Sequence, residues 1–339
     1  MHGGAITLAR LYRERYGAEN VTRPQAIVAS DMLDLSTFQA LTRRETCDIP
    51  MAIYFHENQF SYPASPHSSQ AFDLHYPFIN YASALCADRL YFNSEYHRAD
   101  FLRHAESFPA RFPDFPEQAA ADALAERSSV LPLGLDLAAL RAAREQRSAE
   151  QSDESAAPVI LWNHRREHDK NPDDFFAALF ELADRGLDFR VMVLGQAFRE
   201  APPVFARARE RLGDRRILRF APAETRAEYV RLVAGCDLLP VTAHHDFFGA
   251  ATVVAMAAGG YPMLPRRLAY PAHEAGRSEY LYDGTIADLI ERLAALLRRP
   301  DEWRHDRQRA ATAALVSGYD WRELIALYDR EFDALAHPQ

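Results

Sequence analysis

The chain of 339 residues contains very little lysine: of its 39 basic residues, only Lys170 is a lysine. It also has only three cysteines (Cys47, Cys86 and Cys236), none of them in a CxxC pair. This spacing argues against a disulfide framework or a cysteine-based zinc site, so we expect reduced thiols. No apolar run approaches the roughly 20 residues that a transmembrane helix needs, and the first residues lack the apolar core of a signal peptide. We therefore expect a cytoplasmic protein without a membrane span.

The charge balance limits the kinds of partner that the surface can take. The formal net charge is −9, which argues against a broad basic surface for nonspecific nucleic-acid binding but allows a local basic patch. Hydrophobic residues make up 48% of the chain, which is ordinary for a soluble globular enzyme, and the length exceeds that of one ordinary domain. These values favour a two-domain globular enzyme.

Strand-like runs alternate with helix-like segments, which is typical of parallel sheets with crossover helices. The predicted strands are residues 26–30, 52–55, 89–93, 129–133, 159–162, 189–194, 217–220, 237–241 and 261–264. A polar segment rich in serine and alanine follows residue 140 and is typical of a linker. We predict an α/β protein with an N-terminal Rossmann-like domain (1–140), a linker (141–157), a C-terminal Rossmann-like domain (158–318), and a helix (319–339) that crosses back toward the first domain.

The start of the first domain departs from the usual order of a doubly wound fold. Such domains open with a strand, and the turn after it lies near the ligand. Here the first predicted strand begins only near Ala26, after a helix-like segment. We expect the first strand and its glycine loop to precede the printed sequence.

Polar residues follow two predicted strands of the first domain, where ligands of open α/β sheets bind. His56, Glu57, Asn58 and Gln59 come directly after strand 52–55, and four large polar residues exceed what a capped turn needs. Ser94 follows strand 89–93, where it can cap a helix or leave backbone N–H groups for a phosphate. Both roles of Ser94 remain open.

The densest polar cluster, WNHRREHDKN, lies between the first strand and the first helix of the second domain. It contains Asn163, His164, Arg165 and the single lysine, Lys170. Two cations held at a rigid strand end can bind a diphosphate and stabilise its charge as it leaves. A site that needs a compact ammonium cannot use the planar fork of arginine, which explains the lone lysine better than a surface charge run does.

A glycine turn precedes the predicted helix 250–258 and forms the third candidate element. Gly249 allows close backbone approach, and the helix end at Ala250 carries a positive dipole that favours phosphate. Asp246 can accept hydrogen bonds from sugar hydroxyls, and Phe248 lies beside it. The adjacent histidines 244 and 245 lack a third ligand at helical spacing, so we predict no metal site.

Five segments in this order, YFHENQFSYP, WNHRREHDKNP, VLGQ, HHDFFG and GGYPMLPRRLAYP, resemble the tRNA-queuosine α-mannosyltransferases of retaining glycosyltransferase family 4. The resemblance implies the GT-B fold, in which two Rossmann-like domains face each other across a cleft. It implies GDP-mannose as donor and queuosine in a tRNA anticodon as acceptor.

By the same resemblance, Arg165 and Lys170 bind the diphosphate, His56 lies near the donor sugar, and Gly195 of VLGQ belongs to the donor site. Asp246 takes the first acidic position of a Glu-x7-Glu signature. The second position falls on Val254, where relatives hold the ribose with a glutamate, so the loss of hydrogen bonds costs roughly 2–3 kcal/mol of donor binding. Glu274 and Glu279 are the candidates for a compensating acid.

These residues predict sugar transfer with retention and without a metal or cofactor. Arg165, Lys170 and the helix end at Gly249 stabilise the leaving diphosphate, while His56 and Glu57 orient the sugar or the acceptor. Two alternatives remain open: a GT-B glycosyltransferase with a lipid, glycan or small-molecule acceptor, and a catalytically degenerate GT-B binding protein.

Overall fold

The computed structural model describes residues 2–18, 21–63, 74–112, 114, 119–149, 156–196, 201–273 and 276–337. Glu274, one of the two acids considered above, lies outside these residues. The chain divides into unit 1 (Met1–Leu133 and Ile325–Gln339) and unit 2 (Gly134–Leu324). Within the described residues, no helix has the length and apolar character to cross a membrane.

Unit 1 is a parallel sheet covered by helices. Its strands are β1 (Ile27–Ser30), β2 (Met51–Phe55), β3 (Arg89–Phe92) and β4 (Ser128–Val130), and its helices are α1 (His2–Tyr16), α2 (Leu35–Thr46), α3 (His75–Cys86), α4 (Glu95–Ser107) and α5 (Ala119–Glu126). The strands pair in sequential order, with Ala52 opposite Arg89 and Leu90 opposite Ser128. All five residues of β2 are buried, as expected for a parallel strand covered on both faces.

Unit 2 contains the larger sheet. Its strands are β5 (Val159–Trp162), β6 (Arg190–Val193), β7 (Ile217–Phe220), β8 (Leu238–Pro240), β9 (Tyr261–Pro265) and β10 (Leu281–Tyr282), and its helices are α6 (Ala138–Ala149), α7 (Pro172–Asp184), α8 (Val204–Arg216), α9 (Arg226–Ala234), α10 (Ala250–Ala257), α11 (Ile286–Arg298) and α12 (Asp306–Leu315). The strand order is β10-β9-β8-β5-β6-β7, all parallel. The order reverses between β5 and β8, so their carboxyl ends flank the position where ligands of such sheets bind.

The residues at the start of the helix after β5 explain where it begins. Asn171 adopts a left-handed conformation (φ 51°, ψ 60°), and its side chain accepts a hydrogen bond from the backbone N–H of Asp174 at 3.3 Å. Pro172 occupies the first helical position, where a missing N–H costs nothing. Phe175 then packs against Trp162 with ring centroids 4.8 Å apart. The cap and this aromatic contact fix where the β5–α7 loop ends.

The structure corrects the linker prediction for residues 141–157. Residues up to Ala149 belong to α6, which packs on α9, whereas residues 150–155 lie outside the described residues. Arg147 of α6 donates to the backbone oxygens of Ala234 and Cys236 and pairs with buried Asp237 at 2.8 Å. The polar composition is typical of a linker, and the sequence alone does not show that Arg147 has tertiary partners.

The last helix, α13 (Trp321–Ala336), begins within unit 2, and its residues from Ile325 onward belong to unit 1. Tyr328 packs on the unit 1 sheet: its hydroxyl donates to the backbone oxygen of Pro132 at 2.9 Å. Phe332 packs edge-on against Tyr91.

Candidate active site

The candidate site of unit 2 is formed by two loops that follow β5 and β8. Hydrogen bonds to backbone oxygens join them: the backbone N–H of His244 donates to the oxygen of Asp169 at 2.8 Å, and the side-chain hydroxyl of Thr242 donates to the oxygen of Asn171 at 2.8 Å. Arg267 reinforces the second loop through the backbone oxygen of Thr242. The sheet topology therefore brings the two predicted motifs together in one place.

Lys170 lies at the centre of this arrangement, with a side chain only 11% exposed. Its Nζ donates to the backbone oxygen of His245 at 2.8 Å and lies 3.1 Å from Asp169 Oδ2 and 3.5 Å from Asp246 Oδ2. Burial acts to lower the pKa of Lys170, but the two carboxylates outweigh it and hold the pKa above its ordinary value. The ammonium is therefore charged, and it joins the two loops.

Asp246 anchors the turn that starts α10. Its Oδ1 accepts the N–H of Gly249 at 3.0 Å, and its Oδ2 accepts the hydroxyl of Tyr270 at 3.1 Å. Burial acts to raise the pKa of Asp246, but Lys170 and these hydrogen bonds hold it below its ordinary value. The carboxylate already has protein partners at both oxygens, so its predicted contact with sugar hydroxyls competes with this anchoring role.

The start of α10 is open to an anion. Gly249 has φ 82°, and a Cβ there would lie 3.1 Å from the ring of Tyr270, so glycine suits the turn on both counts. No side chain among the described residues caps the helix, which leaves its first backbone N–H groups to a ligand, beginning at half-buried Ala250. Phe248 is buried and packs edge-on against the rings of His273 and Tyr319, and these contacts support the turn.

Asn163 and His164 are both buried at the end of β5. The Asn163 amide donates to the backbone oxygen of Ala251 at 3.1 Å and accepts the hydroxyl of Tyr229 at 2.9 Å, so its side chain ties β5 to α9 and α10. Burial, followed by the charge of Lys170, lowers the pKa of His164 to about 4. This imidazole is neutral at pH 7, and its Nε2 has no hydrogen-bond partner among the described residues.

Arg165 and Gly195 lie beside a pocket of about 430 Å³ within unit 2. The Arg165 side chain is 46% exposed and pairs loosely with Glu167 at 3.3 Å. A Cβ at Gly195 would lie 1.6 Å from the backbone oxygen of His164, so only glycine permits the two strand ends to approach this closely. The pocket is also lined by Glu224, Thr225 and Tyr229.

The remaining predicted residues lie in unit 1, after β2 and β3. His56 is exposed, and Glu57 is half-buried and accepts a hydrogen bond from Gln59. Ser94 caps α4 by accepting the N–H of His97 at 3.0 Å, whereas a contact with phosphate stays a prediction. Asn58 is fully buried and donates to Asp100 at 3.3 Å, so in this structure it stabilises its loop rather than facing a donor.

Sequence reasoning missed several residues that shape these sites. Asp169 was part of the quoted cluster but had no role, and Tyr270 and Tyr229 come from distant segments whose approach no spacing reveals. Asp31 could have been found, because it follows a predicted strand at the sheet edge where ligands bind. Val254, the position of the missing acid, is half-buried on α10. Glu279 is exposed, and no described contact puts it in the place of that acid.

Comparisons with known proteins support the family that the motifs resemble. A family model described as tRNA-queuosine alpha-mannosyltransferase N-terminal matches residues 1–135. The tRNA-queuosine alpha-mannosyltransferase of Drosophila melanogaster is 31% identical over 307 residues, which cover 90% of this chain and 79% of that protein. The GDP-mannose:cellobiosyl-diphosphopolyprenol alpha-mannosyltransferase of Xanthomonas oryzae pv. oryzae is 26% identical over 274 residues, 78% of this chain and 68% of that protein.

Solved structures show the fold. HepE from Anabaena in complex with UDP matches 97% of this chain and 82% of its own with a TM-score of 0.65 at 15% identity. Sucrose-phosphate synthase from Thermosynechococcus elongatus matches 96% of this chain and 76% of its own with a TM-score of 0.68, also at 15% identity. The predicted GT-B class, built from two parallel α/β units, is confirmed.

Proposed function

This chain belongs to the tRNA-queuosine α-mannosyltransferase family, and on that premise we propose that it transfers mannose from GDP-mannose to queuosine in the anticodon of a tRNA. The chain is a glycosyltransferase, and this argues against the alternative of a degenerate binding protein. The observation that carries the acceptor is the 31% identity over 90% of the chain to a relative named for it. GDP-mannose as donor is supported by the second mannosyltransferase relative, whose name includes that donor.

The start of α10 supports binding of the donor diphosphate. Its uncapped N–H groups and the exposed guanidinium of Arg165 are the groups in unit 2 best suited to contact phosphate oxygens. Lys170 Nζ contacts the backbone oxygen of His245 and the carboxylates of Asp169 and Asp246, and its direct contact with the diphosphate stays a prediction. The ammonium offsets the negative charge of the two carboxylates, which would otherwise repel a diphosphate.

We propose that the leaving diphosphate departs as the bond to the sugar lengthens, and that these groups stabilise its growing charge. Retention follows when the acceptor hydroxyl attacks the face that the diphosphate leaves, so no enzymic nucleophile is needed. We propose that this chemistry needs no metal or other cofactor. This mechanism is the one expected for glycosyltransferase family 4. We also propose that the protein acts on tRNA in the cytoplasm.

Sugar transfer is tested with purified protein, queuosine-containing tRNA and either GDP-mannose or UDP-glucose. The expected result is a changed mobility of the tRNA on a boronate gel and one added hexose in its digested nucleosides, with GDP-mannose only. The same tRNA carrying unmodified guanosine is the matched control. Transfer to that control, or transfer from UDP-glucose alone, would contradict the proposal.

A second candidate keeps the mannosyl donor and changes the acceptor. The Xanthomonas relative is named for a cellobiosyl-diphosphopolyprenol acceptor, and it matches 78% of this chain. Radiolabelled mannose in an organic extract, with none on tRNA, would favour this candidate. Fold and donor site do not separate acceptors, so this experiment decides between them.

A further inference from the structure

Asp31 occupies the carboxyl end of β1, next to the loop that follows β2 in unit 1. It is 1% exposed, and its backbone is fixed on both sides. Its N–H donates to the oxygen of Tyr54 at 3.2 Å, and its own oxygen accepts the side-chain amide of Asn80 at 3.0 Å. The carboxylate therefore has a defined position at the edge of the sheet.

This carboxylate faces His56. Its Oδ1 accepts the backbone N–H of His56 at 3.0 Å and lies 3.4 Å from Nδ1 of the same imidazole. Asn93, after β3, donates to the backbone oxygen of His56 at 2.8 Å, so the residue is held from both neighbouring strands. The ring itself remains 55% exposed. The backbone of His56 is fixed, and its outer ring edge is open to solvent.

A role in the turn alone does not account for Asp31. The backbone N–H of His56 needs one acceptor oxygen, and a neutral asparagine would supply it. Instead the site holds a buried carboxyl whose Oδ2 has no hydrogen-bond partner among the described residues. Burying such a group is costly unless a partner compensates it, and among the contacts of the carboxyl the imidazole is the side chain that can direct an N–H toward it.

We propose that Asp31 is a positioning residue for His56: it keeps the proton on Nδ1, so that Nε2 presents its lone pair to a hydroxyl of the bound sugar or acceptor. A carboxylate beside one ring nitrogen fixes the tautomer and leaves the other nitrogen as a hydrogen-bond acceptor. The inference rests on the proposed function for the identity of the hydroxyl. The tautomer itself depends only on the protein.

The tautomer is measured by nitrogen-15 NMR of histidine-labelled protein at about pH 8, where free imidazole is neutral. The His56→Gln variant assigns the signal. We expect a pyrrole-type shift at Nδ1 and a pyridine-type shift at Nε2, and a move toward the opposite tautomer in Asp31→Asn. Asp34→Asn, a carboxyl-to-amide change on the same segment that has no contact with His56, leaves the tautomer unchanged. A proton on Nε2 in the unsubstituted protein overturns the proposal without any variant.

A double-mutant cycle tests whether Asp31 acts through His56. We expect Asp31→Asn to lower kcat/KM roughly ten- to hundred-fold, the range typical of partners that orient a functional histidine. In the His56→Gln background the same substitution has little further effect. Additive losses would mean that Asp31 only supports the fold.

The two experiments separate this inference from the proposed function. If the unsubstituted protein transfers no sugar to queuosine-containing tRNA, the proposed function fails while the NMR result still decides the tautomer. If it does transfer sugar and Asp31→Asn leaves the tautomer unchanged, only the inference about Asp31 fails.

Discussion

Removal of the Lys170 ammonium tests the organisation of the unit 2 site most directly. In Lys170→Met, the flexible apolar chain fills much of the same space, but Asp169 and Asp246 lose the cation 3.1 and 3.5 Å away. Both carboxylates are less than a fifth exposed. We expect unit 2 to be destabilised strongly, in addition to any loss of turnover.

The distances give the size of the effect. At an effective dielectric constant of about 20, each of the two charge pairs contributes about 5 kcal/mol of attraction, most of it offset by the cost of burying the charges. Removing one partner of a buried pair costs about 3–5 kcal/mol, because the other charge stays buried. For a unit of this size, that corresponds to a fall in Tm of roughly 10 °C.

The loss in Lys170→Met depends on pH with a definite sign. In the unsubstituted protein the pKa of Asp246 is held below its ordinary value, so its contribution to stability is present above its unfolded pKa and is lost in acid. Without Lys170, burial is the largest influence and raises that pKa. The variant then takes up a proton at a higher pH, and the stability difference shrinks as the pH falls from 7 toward about 4.

Tryptophan fluorescence during urea unfolding measures the stability of unit 2, because all three tryptophans (Trp162, Trp303 and Trp321) lie in it. Arg299→Met is the control: it removes an exposed cation paired with an exposed glutamate and should cost less than about 1 kcal/mol. Adding Asp246→Asn to Lys170→Met should restore part of the stability. A loss under about 1 kcal/mol at pH 7, or one independent of pH, refutes the reasoning.

Three further substitutions have distinct expected outcomes. Gly195→Ala forces a methyl group onto the backbone oxygen of His164 and should lower the free energy of unfolding by about 3 kcal/mol. In the control Gly318→Ala the methyl group meets open space, so the loss should be small. Equal unfolding midpoints for the two variants would contradict this. Arg165→Gln should leave stability unchanged. It should lower kcat/KM by about 10- to 100-fold, because one charged hydrogen bond to the diphosphate is lost. Unchanged steady-state kinetics would exclude that contact. If the family's ribose contact can be rebuilt, Val254→Glu should lower the KM for the nucleotide sugar by up to about 30- to 150-fold, the equivalent of roughly 2–3 kcal/mol. Calorimetry with GDP measures the same change, and an unchanged affinity would mean that this chain holds the ribose differently.

The sequence predicted the central strands of unit 2 well. The run 159–162, which is short, apolar and fully buried, is observed as β5, and 217–220 is observed as the partly exposed β7. The start of α7 also follows from local chemistry, because an asparagine cap followed by proline at the first position favours a helix start. These features depend on residues adjacent in sequence, so pattern reasoning reaches them.

The structure shows what the amides of two predicted site residues contact within the protein, whereas their roles in donor binding stay predictions. Asn163 and Asn58 both follow buried strands, and both use their amides to hold neighbouring segments together. Their partners come from Tyr229, α10 and Asp100, far away in sequence. A polar residue at a strand end can face a ligand or fix a loop, and only the tertiary contacts separate the two.

Lys170 shows why one lysine is retained in a chain that otherwise uses arginine. Its Nζ meets three oxygens from different directions: the backbone oxygen of His245 and the carboxylates of Asp169 and Asp246. A compact ammonium with three rotatable donors can satisfy such a set, whereas a planar guanidinium is larger and fixes its donors in one plane. The side chain is only 11% exposed, which leaves little room for the larger group. The geometry of these three protein oxygens therefore explains the lone lysine, and its direct contact with the diphosphate stays a prediction.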